Sequence, residues 1–284
     1  MIAPFKIGLF ALATLAALAA CAPAAPTGSD ARSASPAKPR FVSLNPCLDA
    51  ILVEVAEPEQ ILAISHYSHQ PGGSRMEPER ARRFAYTGGS AEEVIALAPD
   101  IVLASVFLAP STKAAFERAG LRVETFDSPR TVAESARQVE RMAKLAGDPG
   151  KADSLVQALA PLRTPSAGSA SRPSVLLWQP GQIVAGERTL IAELIREAGF
   201  TSHAAALGLK QADYVPIEAL LSDPPDLLLV AGESAGQRHP ALRQLEQTRT
   251  ASFDPSLFYC GGPSVPAARA RLQDLRRAFE RSRK

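Results

Sequence analysis

Residues 92–103, EEVIALAPDIVL, and residues 218–229, EALLSDPPDLLL, align without a gap. Glu92 matches Glu218, Pro99 matches Pro225 and Asp100 matches Asp226. Each stretch reads as a helix, a Pro-Asp break and a strand. Proline stops the helix because it lacks an N–H and its ring clashes with the preceding turn. The Asp side chain can hydrogen-bond the turn that follows. The apolar run at 101–104 carries no polar alternation, as expected of a strand covered on both faces of a parallel sheet. Two such units with equal internal offsets predict two related lobes.

Outward from the repeat, short apolar runs alternate with amphipathic helices, the pattern of an α/β fold. In the first lobe, strands are expected at 41–44, 61–64, 101–104 and 123–126. Asn45-Pro46 breaks the first of them, and Leu48, Ile51, Leu52 and Val55 mark one face of a helix. Val132, Ala136, Val139, Ala143 and Ala146 form a second stripe, ended by Gly147. Asp148-Pro149 then restarts a helix as N-cap and first-turn residue. That helix, expected over 149–163, bridges an N-terminal lobe at 40–148 and a C-terminal lobe at 164–284. The turn-rich stretch 164–173, TPSAGSASRP, leads into a strand at 175–178. Two Rossmann-like lobes joined by one helix enclose a cleft, and loops after parallel strands line such clefts.

The N-terminus bears on compartment. Lys6 precedes an apolar run at 7–20, too short to span a bilayer as a helix but suited to a signal peptide. The run ends in Leu18-Ala19-Ala20-Cys21, which resembles the bacterial lipobox. Residues 1–20 are therefore expected to be a lipoprotein signal peptide and Cys21 an acylated anchor, with an ordinary secretory signal as the alternative. Residues 21–39 are rich in Ala, Pro and Ser and carry no large apolar side chain, which predicts a disordered tether. The whole chain has 31 basic and 29 acidic residues. That near balance argues against nucleic-acid binding.

The stretches FVSLNPCLDAILVEV, ILAISHYSHQP and TGGSAEEVIALAPDIVLAS are similar to the N-lobe of periplasmic binding proteins for vitamin B12 and iron–siderophores. LLWQPGQIVAGERTLIAELIREAGF, YVPIEALLSDPPDLLLVAG and FYCGGPSVPAARARL resemble the C-lobe of the same family in the same order. The resemblance implies a monomeric binding protein, not an enzyme, with no cofactor of its own. It implies a periplasmic, lipid-anchored receptor that hands a corrinoid or iron chelate to the permease dimer of an ABC importer. It also implies that Glu92 and Glu218, one per lobe, dock into basic pockets of the permease. The alternative is that each carboxylate favours its helix N-terminus through the dipole.

Candidate ligand contacts sit on loops that follow strands. They are Asn45, Tyr67, Ser68, Gly88, Gly89, Phe107, Trp178, Gln179 and Tyr214. The glycines would permit close approach, and aromatics with polar tips suit a large planar or amphipathic ligand. Cys47 and Cys260 remain after Cys21. Outside the cytoplasm an even thiol count suggests a disulfide, here closing a loop of 213 residues and contributing up to about 5 kcal/mol. The alternatives are thiols lining the cleft, or a soft-metal site with His66 and His69. The spacing fits no local zinc motif, so no metal site is assigned. Finally, Gly232-Glu233-Ser234-Ala235-Gly236 follows a strand and matches the nucleophile elbow of hydrolases. His239 is the only His downstream and no acid lies between, so Ser234 lacks partners in the required order.

Overall fold

The computed structural model describes residues 38–161, 172–232 and 239–282. The expected signal peptide, the lipidation site Cys21 and nearly all of the tether lie outside the described residues. No helix among the described residues is long and apolar enough to cross a membrane.

The N-lobe runs β1 (Phe41–Ser43), α1 (Pro46–Val55), β2 (Ile61–Ser65), α2 (Pro78–Ala81), β3 (Tyr86–Thr87), α3 (Ala91–Ala96), β4 (Ile101–Ser105), α4 (Pro110–Arg118) and β5 (Arg122–Phe126). Its strands form an all-parallel sheet in the order β3-β2-β1-β4-β5. Helices α5 (Val132–Leu145) and α6 (Asp153–Ala158) follow, with a 3-10 turn at Pro149–Ala152 between them. The C-lobe runs β6 (Ser174–Gln179), β7 (Ile183–Val184), α7 (Leu190–Glu197), β8 (Thr201–Ser202), α8 (His203–Ala206), β9 (Asp213–Tyr214), α9 (Ile217–Ser222), β10 (Leu227–Ala231), β11 (Arg249–Phe253) and α10 (Ser264–Arg281). Its sheet has the order β11-β10-β6-β7-β9, with β8 beside β6. Here β6, β8, β10 and β11 are parallel, while β7 is antiparallel to both neighbours. The α/β class and the two sheets agree with the sequence reading.

Local chemistry explains the element starts. The Asn45 side chain accepts the N–H groups of Cys47 and Leu48 and so caps α1, with Pro46 in its first turn. Ser90 caps α3 and Thr131 caps α5 in the same way. The repeat Asp acts differently from the expectation. Asp100 Oδ2 accepts the N–H of Arg40, just before β1, at 2.7 Å. Asp226 Oδ2 accepts the N–H of Ser174, the first residue of β6, at 2.7 Å. In both lobes the carboxylate therefore fastens the start of the neighbouring strand. A polar backbone group at a sheet end would otherwise lack a protein partner.

The bridging helix expected over 149–163 is shorter than the sequence suggested. The segment opens as a 3-10 turn, and its α-helix covers Asp153–Ala158. Asp148 makes no side-chain cap bond, so the restart lacks the anchor that would have fixed an α-helical first turn. The lobes also share one core. A continuous buried cluster runs from Phe41, Ile51 and Leu103 through Val139, Met142 and Leu159 to Leu177, Leu229 and Leu272. Val139 and Met142 of α5 and Leu159 just after α6 lie within it.

Candidate functional site

All parallel strands of one lobe end on the same side, so the loops after them gather at one edge. In the N-lobe these loops carry Asn45 after β1, Tyr67 and Ser68 after β2, Gly88 and Gly89 after β3, Phe107 after β4, and 127–130 after β5. In the C-lobe the same edge carries Gln179 as the last residue of β6, Tyr214 as the last of β9 and, after β11, Phe258 and Tyr259. The pairings Gln179 with Ile183 and Ile183 with Tyr214 put Tyr214 level with the end of β6.

Two pockets lie where these edges meet. A small one of about 30 Å³ is lined by Asn45, Cys47, Ser105, Asp127 and Tyr259, among others. A larger one of about 230 Å³ is lined by Pro129 and Arg130 of the N-lobe and by Gln179, Arg188, Gln211 and Tyr259 of the C-lobe. Tyr259 borders both pockets. Partial burial pushes its hydroxyl pKa up from the ordinary value, which keeps it neutral and able to donate. The sequence reading did not single it out; its position directly before Cys260 was the available signal.

The inter-lobe seam is fastened at several points. Cys47 at the start of α1 and Cys260 before α10 form a disulfide, with Cα atoms 5.2 Å apart. Bridged sulfurs are unavailable as thiols or as metal ligands. His66 and His69 instead lie against the rings of Tyr67 and Tyr86. No group of three or more metal-ligating side chains occurs among the described residues. Next to the disulfide, the Gly262 N–H donates to Ser135 Oγ at 2.6 Å. A Cβ on Gly261 would come within 2.5 Å of that oxygen, and one on Gly262 within 2.7 Å of Ile51. Only glycine lets the chain pass so close to α1 and α5. The Val132 N–H donates to Glu193 Oε2, joining α5 to α7. Arg269, buried in α10, forks onto Glu197 at 2.8 and 2.9 Å and donates to the carbonyls of Ala158 and Ala160 at the end of α6.

The candidate contacts divide into two groups. Exposed at the strand-end edge are Tyr67, Tyr214 and Phe107, the last 80% exposed. Tyr86 and Tyr259 join them without having been foreseen. Gln179 is buried but lines the larger pocket, and Asn45 lines the smaller.

Two expectations are corrected, those for Trp178 and Ser68. Trp178 is 0% exposed and presents no face to a ligand. Side chains alternate along β6, so Val175 and Leu177 face the shared core, while Leu176 and Trp178 pack with Val215, Leu220 and Leu228 on the far side of the sheet. Ser68 is also buried, and its hydroxyl donates to Asp49 Oδ2 at 2.6 Å. Gly88 and Gly89 serve a local turn. The N–H of Gly88 donates to Glu93 Oε2, which also accepts from Thr87 Oγ1, and Gly89 sits at φ +86°. Those bonds, led by that from Thr87, hold the Glu93 carboxyl below its usual range.

Asp49 is the buried acid of the site and was not singled out from sequence. It sits in α1 beneath the Tyr67 loop and also accepts the Ser65 N–H. Burial pushes its pKa up to about 7, opposed by hydrogen bonds from Ser43, Ser68 and Ser65. The carboxyl thus fixes the loop that carries Tyr67 rather than facing solvent. Glu92 and Glu218 occupy the second position of α3 and α9 and are both exposed. Ser234 lies outside the described residues. His239 Nδ1 accepts the N–H of Ala241 and so caps a 3-10 turn, a structural use of that ring.

Residues 41–253 match the model of a family described as periplasmic binding protein. No curated protein sequence matches the chain. Among solved structures, the periplasmic heme-binding protein RhuT from Roseiflexus sp. RS-1 in apo form is 23% identical with a TM-score of 0.66. The match covers 86% of this chain and 98% of that one. The periplasmic heme-binding protein HutB of Vibrio cholerae is 19% identical with a TM-score of 0.67, over 83% and 98% of the two chains. The periplasmic vitamin B12-binding protein BtuF of Vibrio cholerae is 14% identical with a TM-score of 0.63, over 86% and 98%. At these identities the likeness is one of fold, whereas the family match spans most of the sequence. The chain belongs to the periplasmic binding protein family, the substrate-binding proteins of ABC transporters, and is a transport protein and not an enzyme.

Proposed function

We propose that this chain is a lipid-anchored receptor that binds a tetrapyrrole, a haem or a corrinoid, between its lobes and delivers it to an ABC permease. The observation that carries the reading is the set of exposed aromatic side chains at the strand-end edge of both lobes: Tyr67, Phe107, Tyr214 and Tyr259. Large exposed aromatics cost free energy in water and are compensated when a flat apolar ligand covers them. Structures with this fold that bind heme and vitamin B12 support the same class. An iron–siderophore is the second reading, favoured by the polar share of the larger pocket, which includes Gln179 and Gln211.

Cys21 acts as the acyl anchor in this proposal and places the receptor in the periplasm as a monomer. Glu92 and Glu218 dock the two lobes onto the permease dimer. Supporting that role, Glu92 stays exposed in the N-lobe while its neighbour Glu93 is engaged by Thr87 and Gly88.

Spectrophotometric titration with ferric protoporphyrin IX, cyanocobalamin and a ferric hydroxamate siderophore tests the ligand class. Trp178 is the only tryptophan, so energy transfer from it to a bound tetrapyrrole gives a second signal even though the ring is buried. Submicromolar binding of either tetrapyrrole is expected. Binding of the siderophore alone moves the assignment to iron chelates, and binding of none overturns it. Glu92→Ala with Glu218→Ala is expected to leave ligand affinity intact and abolish uptake.

A further inference from the structure

We infer that the 230 Å³ inter-lobe pocket is a subsite for an anionic substituent of the ligand, a carboxylate held between Arg130 of the N-lobe and Arg188 of the C-lobe. The inference rests on the solute-binding reading and narrows it to carboxylate-bearing ligands.

Three observations converge on this subsite. First, the pocket is smaller than the roughly 300–1,000 Å³ of sites that enclose a whole small molecule. It suits one arm of a large ligand whose body lies outside, against exposed rings such as Tyr259. Second, its described lining includes two arginines and no acidic residue. Third, three nearby glutamates have partners of their own, and Asp127 and Asp213, beside the lining residues Ser128 and Ala212, accept the backbone N–H groups of Ser128 and Tyr214. Glu187 pairs with Arg196 at 2.8 Å, and Glu193 accepts the Val132 N–H. Glu134 accepts the Arg130 N–H at 2.7 Å and meets its guanidinium only at 3.4 Å. Among the described residues Arg188 makes no ion pair, while its backbone is fixed by a bond from its N–H to the Lys210 carbonyl.

A guanidinium presents a planar fork of donors that matches a carboxylate, and its charge acts more strongly in a concave site than on an open surface. Two such groups, one from each lobe, would be drawn together by one anion. Gln179 and Gln211 offer neutral donors beside them. A ligand whose side arms are amides would leave Arg188 without a counter-charge and Arg130 with Glu134 alone, so the pocket should favour free acids over neutral derivatives.

The test compares wild type with Arg188→Glu and Arg188→Gln in titrations with ferric protoporphyrin IX, its dimethyl ester, cyanocobalamin and ferric citrate. Arg281→Gln, a change at the exposed end of α10, controls for net charge. The wild type is expected to bind the free acid at least tenfold tighter than the dimethyl ester, with affinity falling as salt rises. Arg188→Glu should weaken the acid at least tenfold, Arg188→Gln less, and neither should change the ester. Arg281→Gln should match wild type. Should ferric citrate be the only ligand, and should Arg188→Glu abolish its binding, the subsite stands and the tetrapyrrole reading falls. Equal affinity for acid and ester, tighter binding of cyanocobalamin than of the acid, or indifference to Arg188→Glu overturns the subsite while leaving the receptor reading intact. Absence of binding by every member of the panel overturns both.

Discussion

In the N-lobe, Asp100 accepts the backbone N–H of Arg40; in the C-lobe, Asp226 accepts both the N–H and the hydroxyl of Ser174. Glu92 is followed by Glu93, which is drawn into the Thr87–Gly88 turn, whereas Glu218 is followed by Ala219 and has no such neighbour. The two copies of the helix–break–strand unit thus keep the features the fold requires, a helix stop and a carboxylate that fastens the adjacent strand. They differ in the turns that lead into them. The sheets follow the same rule. Their parallel centres correspond, while the edges differ, with β3 completing a parallel sheet in one lobe and the antiparallel β7 and β9 extending the other. Shared core geometry constrains the centre of each sheet, and the edges are free to diverge around the ligand.

The largest expected effects come from loosening the seam, where Arg269 ties α10 to α7 and to the end of α6, and the disulfide ties one lobe to the other. Arg269→Ala leaves the largely buried Glu197 without its partner and frees the carbonyls of Ala158 and Ala160 at and just after the end of α6. A loss of about 3–5 kcal/mol is expected from denaturant unfolding. Replacing Cys47 and Cys260 together by Ser removes the covalent clamp. A loss of about 2–5 kcal/mol is expected, with faster hydrogen exchange around Gly261 and Ser135.

The next test asks whether the N-lobe alone carries a pH response. Asp49 has its native pKa raised from 3.8 to about 7, so the native state holds a proton that the unfolded chain has released between those values. Its contribution to stability is complete below the unfolded value and is lost as pH rises to about 7. Wild type should therefore lose on the order of 4 kcal/mol from this group across that window. Asp49→Asn should flatten that slope, read from unfolding free energies at a series of pH values. An unchanged slope would separate Asp49 from the response. The smallest expected effect sharpens the comparison of the repeats. Asp226→Ala is expected to cost about 2 kcal/mol and Asp100→Ala about 1 kcal/mol, because Asp226 accepts two hydrogen bonds from Ser174 and Asp100 one from the Arg40 N–H, its 3.5 Å ion pair with the Arg40 side chain being exposed and weak. Equal losses would remove the asymmetry.

Much of the scaffold was legible in the sequence. The apolar runs around Phe41, Ile64, Val102 and Leu176 became strands because few other conformations bury such a run on both faces. The stripes on α1 and α5 became helices for the matching reason of period. The site was less legible. Trp178 lies at a strand end like Gln179, but one residue of offset turns it to the opposite face of the sheet. Ser68 lies in the Tyr67 loop but is consumed by a carboxyl from α1. The short bridging helix was misread because a proline after an Asp marks a helix start without fixing whether the first turn is α or 3-10.

The sequence by itself determined that there are two related α/β lobes, where most strands and helices α1 and α5 lie, and which glutamates occupy equivalent positions in the repeat. These follow from local rules of period, breaking and capping that need no distant partner. Only the tertiary structure decided that the lobes share a core, that Tyr259 borders both inter-lobe pockets, that Arg130 and Arg188 line one pocket from opposite sides, and that Asp49 is buried. Each of those facts depends on residues tens to hundreds of positions apart meeting in space. Side-chain direction and burial at such meetings are set by packing, which no local pattern encodes.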